Sequence, residues 1–335
     1  MKLLLKLQNA IKEMMLDSRS KQRNLLLLSG GSKVAIARIA KKAARKRGIE
    51  LHISDTSPQV PTSAIADHFT TLPSHTSSGW IEALLQFCEG AKIGLIIPSR
   101  HSELTVLEQA RPQLRKIGTQ VAISDASTLK TCIHKLDTYR FLKNHGIPTP
   151  RTCLKNEYDQ QFPFPIVAKP ERGFSSSGAQ TIESAEGLDH VPPEWILQEK
   201  ATGIEHTVNL YLSKSGEVRC CIPHERLAVE AGEVVQAQTR RHASLIKTCQ
   251  EIAHKLPGAR GIINIQGFVD PASDTLKVIE INPRIGGGYP LCDAAKGHYI
   301  EWLCREYLDG EEIAPFDQWT ENLLMMRYRD ALFSL

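Results

Sequence analysis

Gly261-Ile-Ile-Asn-Ile-Gln-Gly-Phe-Val-Asp270 and Leu276-Lys-Val-Ile-Glu-Ile-Asn-Pro-Arg284 decide how this chain is read. Both alternate apolar and polar residues, the period of a half-buried strand. Asp270–Asp274 between them is turn material, so the pair predicts a β-hairpin. Alternation puts Asn264 and Gln266 on one face, opposite Ile263 and Ile265. In the second strand Glu280 and Asn282 share a face, and Ile279 and Ile281 share the other. A turn of roughly three or five residues sets Gln266 beside Glu280 or one pair away. A carboxylate and two amide side chains then converge on one sheet face. Such an all-oxygen set suits Mg²⁺, which takes few protein ligands alongside water and phosphate. An ordinary antiparallel sheet with a wet face would alternate in the same way. Against that reading, Arg284 and the triple glycine Gly286–Gly288 follow at once. Anion clamp, carboxylate and flexible loop share one short stretch.

Upstream, Phe164-Pro-Ile-Val-Ala-Lys-Pro170 is a short strand with Val167 and Lys169 on one face. It leads into a loop bracketed by Gly173 and Gly178 that contains Ser175, Ser176 and Ser177. Backbone N–H groups and hydroxyls of such loops receive phosphate oxygens, and a lysine adds a point charge. An exposed lysine before a polar loop is the plainer alternative. The loop is also the expected lid over a water-sensitive site. Between these features lies Trp195-Ile-Leu-Gln-Glu199-Lys200-Ala201-Thr202-Gly203-Ile-Glu205. A strand entering a glycine turn can offer backbone groups to a base and a carboxylate to ribose hydroxyls. Alone, this is a weak sign, since any acidic linker looks similar.

The N-terminal half has another texture. Leu25–Ser29, Glu50–Ser54, Ile93–Ile97 and Gln120–Ile123 read as strands. Val34–Arg47 and Glu103–Ile117 read as helices between them. Strand–helix alternation predicts a parallel sheet with crossovers. Gly30-Gly31 lacks the spacing of a dinucleotide loop and reads as a tight turn. Leu129–Asn144 is one amphipathic helix, stopped at Gly146-Ile-Pro-Thr-Pro150. Leu4, Leu7, Ile11, Met14 and Met15 form a helical stripe near the start.

Composition excludes some classes. The net charge of +4 does not call for nucleic acid, and the basic run Lys41–Arg47 suits the end of a helix. The apolar runs are too short to span a membrane. The eight cysteines form no CxxC pair and read as reduced cytosolic thiols.

From Ser124 to Gly310 the order of features resembles the ATP-grasp superfamily, and most closely the branch of the carbamoyl phosphate synthase large subunit. Glu280-Ile-Asn-Pro-Arg284-Ile-Gly-Gly-Gly-Tyr-Pro290, Ala201-Thr-Gly-Ile-Glu205 and Val167-Ala-Lys-Pro170 carry the resemblance. Lys21–Ile123 resembles the domain that precedes it. The implied fold is α/β and α+β: a Rossmann-like pre-ATP-grasp domain, then a two-lobed ATP-grasp fold. The expected divisions are a helix at 1–23, the preceding domain at 24–123, a small lobe at 124–196 and a large lobe at 197–335.

By resemblance, Lys135 and Lys169 match ATP-phosphate lysines, with His134 standing where the family usually has Asp. Glu199, Lys200 and Ala201 match the adenine connector, and Glu205 a residue near ribose or metal. Gln266, Glu280 and Asn282 match metal ligands. Gln266 is neutral where many relatives carry Glu. Arg284 matches the residue beside the transferred phosphate, acting with Lys169. Arg226, Arg240, Gly287 and Gly288 fall on the acceptor side. The resemblance implies a cytoplasmic, ADP-forming carboxylate–amine or carboxylate–thiol ligase. It would use ATP with Mg²⁺ or Mn²⁺ and proceed through an acyl phosphate. Its partners would be small-molecule acid and amine substrates, with no nucleic acid or membrane; a homodimer stays open. A small-molecule kinase of the same fold, or a non-catalytic nucleotide-binding subunit, are the alternatives. Carbamoyl phosphate synthesis is not expected of one ATP-grasp unit without a glutamine-hydrolysing domain.

Overall fold

The computed structural model describes residues 23–160, 162–173 and 178–333. Residues 1–22 of the expected N-terminal helix, and Ser175, Ser176 and Ser177, lie outside them.

β1 (Asn24–Leu28) is an asparagine followed by four buried leucines. A strand apolar on both sides belongs inside a parallel sheet covered on both faces. Here it is flanked by β2 (Leu51–Asp55) and β4 (Ile93–Pro98), with β3 (His68–Thr71) and β5 (Gln120–Val121) at the edges. All the pairings are parallel, in the order β3-β2-β1-β4-β5. Leu25 and Leu27 pack with α1 (Val34–Arg45). Leu26 and Leu28 pack with α2 (Trp80–Gly90) and α3 (Leu104–Lys116) on the other face.

The single helix expected at Leu129–Asn144 is two helices, α4 (Ala126–Ile133) and α5 (Lys135–Asn144). They break at His134, whose backbone is extended (φ −96°, ψ 115°). Glu171 holds the break: its carboxylate lies 3.1 Å from His134 Nδ1, and its carbonyl accepts the Lys135 N–H at 3.3 Å. Lys135 thereby becomes the first residue of α5.

β6 (Thr152–Leu154), β7 (Ile166–Pro170), β8 (Gln180–Ile182) and β9 (Trp195–Glu199) form a small antiparallel sheet, ordered β6-β9-β7-β8. Ile166 and Ala168 sit in its core with Phe162 and Leu197, which leaves Val167 and Lys169 on the opposite face. The division expected at 196/197 falls inside β9. That strand completes the small sheet, and the chain changes sheets only after Glu199.

The third sheet holds β10 (Ile204–Leu212), β11 (Val218–Glu230), β12 (Glu233–Thr239), β13 (Gly261–Asp270), β14 (Thr275–Asn282) and β15 (Leu324–Met326). Its order is β14-β13-β10-β11-β12-β15, antiparallel throughout. α6 (Ala243–Lys255) covers its back, where Leu245, Cys249 and Ile252 join Val208, Leu210, Ile263, Ile265 and Ile281. α7 (Tyr289–Ala294) and α8 (Tyr299–Leu308) follow. Tyr289, Tyr299 and Trp302 share one buried cluster with Leu25, Leu27 and the inner face of α1. The parallel sheet and the third sheet therefore share a core. Each such side chain contributes about 1.5–3 kcal/mol by burial, enough to fix the two layers against each other.

In the β13–β14 hairpin Asn264 pairs with Asn282, Ile265 with Ile281 and Gln266 with Glu280, after which Gly267 pairs with Val278. Ile279 is the extra residue of a β-bulge. This overturns the expectation that Ile279 and Ile281 share a face: Val278 and Ile281 enter the core, whereas Ile279 faces the cleft. Gly267 permits the bulge, because a Cβ there would lie 2.5 Å from the Lys277 carbonyl oxygen.

Candidate active site

Strand register assembles the site. Across β11, β10, β13 and β14, His224, Thr207, Gln266 and Glu280 stand in one row. Asn209, Asn264 and Asn282 stand in the next row. The intervening Val208, Leu210, Ile263 and Ile265 point into the core, so the polar rows owe their face to period-two alternation. Asn264 Nδ2 donates to the Arg284 carbonyl (2.9 Å) and fixes the chain as it leaves β14. Arg284 Nη1 donates to the Ile285 carbonyl (2.8 Å). A chamber of 70 Å³ is lined by Gln266, Glu280, Asn282, Arg226, Arg284 and the glycines 286–288.

The donor set fits a magnesium ion. It offers one carboxylate and two amide side chains, which is hard-cation chemistry. Asn282 Oδ1 is buried and lacks a hydrogen bond of normal geometry, although the His101 ring lies close enough to feel this side chain. An amide oxygen carries two acceptor lone pairs, so beside its contact with the His101 ring this one can still serve a cation. Thr207 Oγ1 and Arg284 Nε are also buried and unsatisfied at the same chamber. Burial, with Arg284 nearby, pushes His101 down to about 4, so its ring is neutral at pH 7.

A second cavity of 340 Å³ lies between the small sheet and the third sheet. Lys135 and Lys169 enter it from one side, and Gln266 and Glu280 from the other. Glu199, Lys200, Ala201 and Glu205 line its connector edge, and Val167, Phe268 and Ile279 give it apolar walls. Gln266 and Glu280 line both this cavity and the chamber beyond. Lys169 Nζ donates to Gln198 Oε1 (2.8 Å), and Gln198 Nε2 donates to Thr152 Oγ1 (2.9 Å), so the lysine is held in place. Burial pushes Lys169 down to about 8; Glu280 opposes the shift and Lys135 adds to it. Burial also lowers Lys135, against the pull of Glu280 and Glu171, and its Nζ donates to the Gly173 carbonyl at 2.9 Å. Glu205 is raised by burial, and Arg226 opposes this from 3.1 Å.

The structure thus brings Lys135, Lys169, Glu199, Lys200, Ala201, Glu205, Gln266 and Glu280 to one cavity, with Asn282, Arg226 and Arg284 adjoining it. Arg240 lines neither space; it pairs with Glu225 (3.4 Å) and Asn322 Oδ1 (2.7 Å). The triple glycine is not a loose loop. A Cβ at Gly288 would meet the His224 ring at 2.6 Å, and one at Gly286 would meet Asn264 Nδ2 at 2.9 Å. Gly287 alone of the three is open, with nothing nearer than 4.0 Å. Sequence reasoning missed Gln198, Thr207, Phe268 and Ile279. Gln198 and Thr207 are polar residues inside apolar strands, a signal that was there to use. Ile279 needed the bulge.

Residues 132–288 match the family model of the ATP-grasp domain, and residues 25–122 match that of the PylC-like N-terminal domain. Residues 132–288 are an ATP-grasp domain. The vancomycin/teicoplanin A-type resistance protein VanA of Enterococcus faecium is 28% identical over 146 residues, 42% of this chain and 40% of VanA. The carbamoyl phosphate synthase large chain of Micrococcus luteus is 24% identical over 236 residues, 60% of this chain and 20% of that one. This chain therefore matches 40% or less of the length of either relative. The likeness to the carbamoyl phosphate synthase large subunit, read from Glu280–Pro290, is borne out as homology. Among solved structures, the ADP complex of N5-carboxyaminoimidazole ribonucleotide synthetase superposes with a TM-score of 0.70 at 16% identity. The match covers 90% of this chain and 80% of that one, and shows a shared fold. The ATP-grasp domain thus follows a parallel-sheet domain, as the sequence indicated. Among the described residues no helix is long and apolar enough to cross a membrane.

Proposed function

We propose that the protein is an ADP-forming ligase that joins a small-molecule carboxylate to an amine, or to a thiol, through an acyl phosphate. The observation that carries this reading is the position of Gln266 and Glu280, shared between the 340 Å³ cavity and the chamber holding Arg284. A nucleotide lying in the cavity presents its terminal phosphate at that junction. Val167, Phe268 and Ile279 would hold the base, and Glu199–Ala201 would meet its polar edge. Lys135 and Lys169 would take the phosphate charge. Glu280, Asn282 and Gln266 would hold Mg²⁺, which supplies further neutralisation of phosphate oxygens when bound. Arg284 waits on the far side, where the acid's carboxylate must approach.

Phosphoryl transfer asks for in-line positioning and charge neutralisation more than for covalent help. The acid's oxygen attacks the terminal phosphorus and ADP leaves with the bridging oxygen. The amine nitrogen then attacks the acyl carbon. A C–N bond forms, the C–O bond to phosphate breaks, and phosphate leaves with the electron pair. The amine's protons pass to solvent. Solved structures of the same fold include a synthetase in complex with ADP and an L-amino acid ligase, which supports this choice over a kinase. Cytoplasmic location, ATP and Mg²⁺ as requirements, and divisions at 123/124 and after Glu199 belong to the same reading. ADP release measured across a matrix of carboxylates and amines tests it. Turnover that needs both substrates is expected, and ADP release indifferent to every pair would remove the ligase reading.

A further inference from the structure

Beyond the chamber lies a third space, of 590 Å³, that the ATP chemistry does not use. It adjoins the chamber: Lys33, Glu233 and Gly287 line both. Its walls mix two chemistries. Val34, Ile36, Pro290 and Met325 give it an apolar lining. Lys33, Arg38, Arg327 and Arg329 bring cations, against Glu233 and Asp330. Apolar surface with an excess of cations suits a molecule with an apolar body and an anionic end.

Glu233 stands at that border. Apart from Glu280 it is the one carboxylate lining the chamber among the described residues, and it sits on the side away from the nucleotide cavity. Lys33 Nζ lies 2.8 Å from its Oε1, and Arg327 Nη1 lies 3.3 Å from its Oε2. Arg327 also donates to the Gly287 carbonyl. These contacts join α1, β12 and the segment after β15 around one carboxylate. Glu233 is 45% exposed and Lys33 29% exposed, so the pair is of the weak, solvent-screened kind. The lysine ammonium marks where a substrate ammonium can sit. An incoming amine can take its place at little cost, and Lys33 is then free to meet the substrate's anionic group.

We infer, resting on the ligase reading above, that this pocket binds the nucleophile, a primary amine with an apolar body and an anionic group. Glu233 is its ammonium-recognition residue. A neutral or purely cationic amine leaves the excess cations uncompensated, and a simple acid leaves Glu233 facing no substrate charge.

Three six-carbon probes separate these cases: norleucine, hexylamine and hexanoate. Each is titrated calorimetrically into the protein with Mg²⁺ and a non-hydrolysable ATP analogue. Norleucine should bind at least tenfold tighter than either singly charged probe. Glu233→Gln, which keeps the shape, should weaken norleucine at least tenfold more than hexanoate. Hexanoate binding as tightly as norleucine, or a Glu233→Gln loss equal for both, overturns the inference. Either result leaves the ligase reading standing, provided the wild-type protein forms a hydroxamate from an acid, ATP and hydroxylamine. Absence of hydroxamate with every acid fails that reading by itself.

Discussion

Gln266 and Glu280 face each other as registered partners across the β13–β14 hairpin, and both border the two spaces in which nucleotide and acid would meet. The pairing sets an amide oxygen and a carboxylate about 5 Å apart at their Cβ atoms, a span one cation can bridge.

Glu280 is the only carboxylate of the metal set, so Glu280→Gln should abolish Mg²⁺-dependent ADP release while the protein stays folded. The change alters charge and leaves side-chain volume almost the same. Circular dichroism and steady-state turnover check it together. Wild-type turnover by this variant would show that the metal lies elsewhere.

Gln266→Glu places a second carboxylate opposite the first. Without metal, like charges directly across a strand pair are unfavourable by about 0.2–1 kcal/mol. The thermal midpoint in chelator should fall slightly, and Mg²⁺ should restore it by binding more tightly than to wild type. Scanning calorimetry with and without Mg²⁺ reads both effects; a variant equally stable in each condition, with unchanged Mg²⁺ affinity, would count against Gln266 as a ligand.

Lys169 gives a pH signature. Burial holds it at about 8, and only its ammonium form pairs with phosphate. Below that value it is charged and ATP binding is strongest. Above it the free protein must take up a proton to bind, so affinity declines as pH rises from about 7 to 9.5. Lys135, lowered by burial, acts in the same direction. Lys169→Ala should cost about 1–3 kcal/mol of ATP binding at pH 7, the scale of a charge-assisted hydrogen bond, and flatten this decline. Calorimetry in two buffers of different ionisation enthalpy should detect proton uptake near pH 8 in wild type, and less of it in Lys169→Ala.

Gly288→Ala drives a Cβ to within 2.6 Å of the His224 ring, which is fully buried. Overpacking of this kind costs about 1–3 kcal/mol. Gly287→Ala, where the nearest atoms are 4.0 Å away, should leave the melting temperature close to wild type. If the two variants melt alike, the close-packed account of this turn fails.

The hairpin and its polar face were legible because alternation over strands of ten and eight residues is a strong signal. β1 was legible for the opposite reason, as an unbroken apolar run. The face of Ile279 was not, because a bulge is invisible to a strict period of two. The split at His134 depends on Glu171, which lies 37 residues away and carries no local mark. α2 was overlooked although Trp80, Leu84 and Cys88 recur at helical spacing. Glu233 opens β12 directly after the turn at Ala231-Gly232, where nothing in the local pattern announces a border between two pockets. Arg240 had only resemblance behind it, and the structure turns it toward Glu225.

The central claim is that an acyl phosphate forms at the junction held by Gln266, Glu280 and Arg284. The direct measurement labels the carboxylate of the acid that most raises ADP release with ¹⁸O and follows the label by mass spectrometry. One labelled oxygen should pass into released phosphate, in step with ADP and with the amide product. ADP released with wholly unlabelled phosphate, in the presence of that acid and amine, would contradict the account.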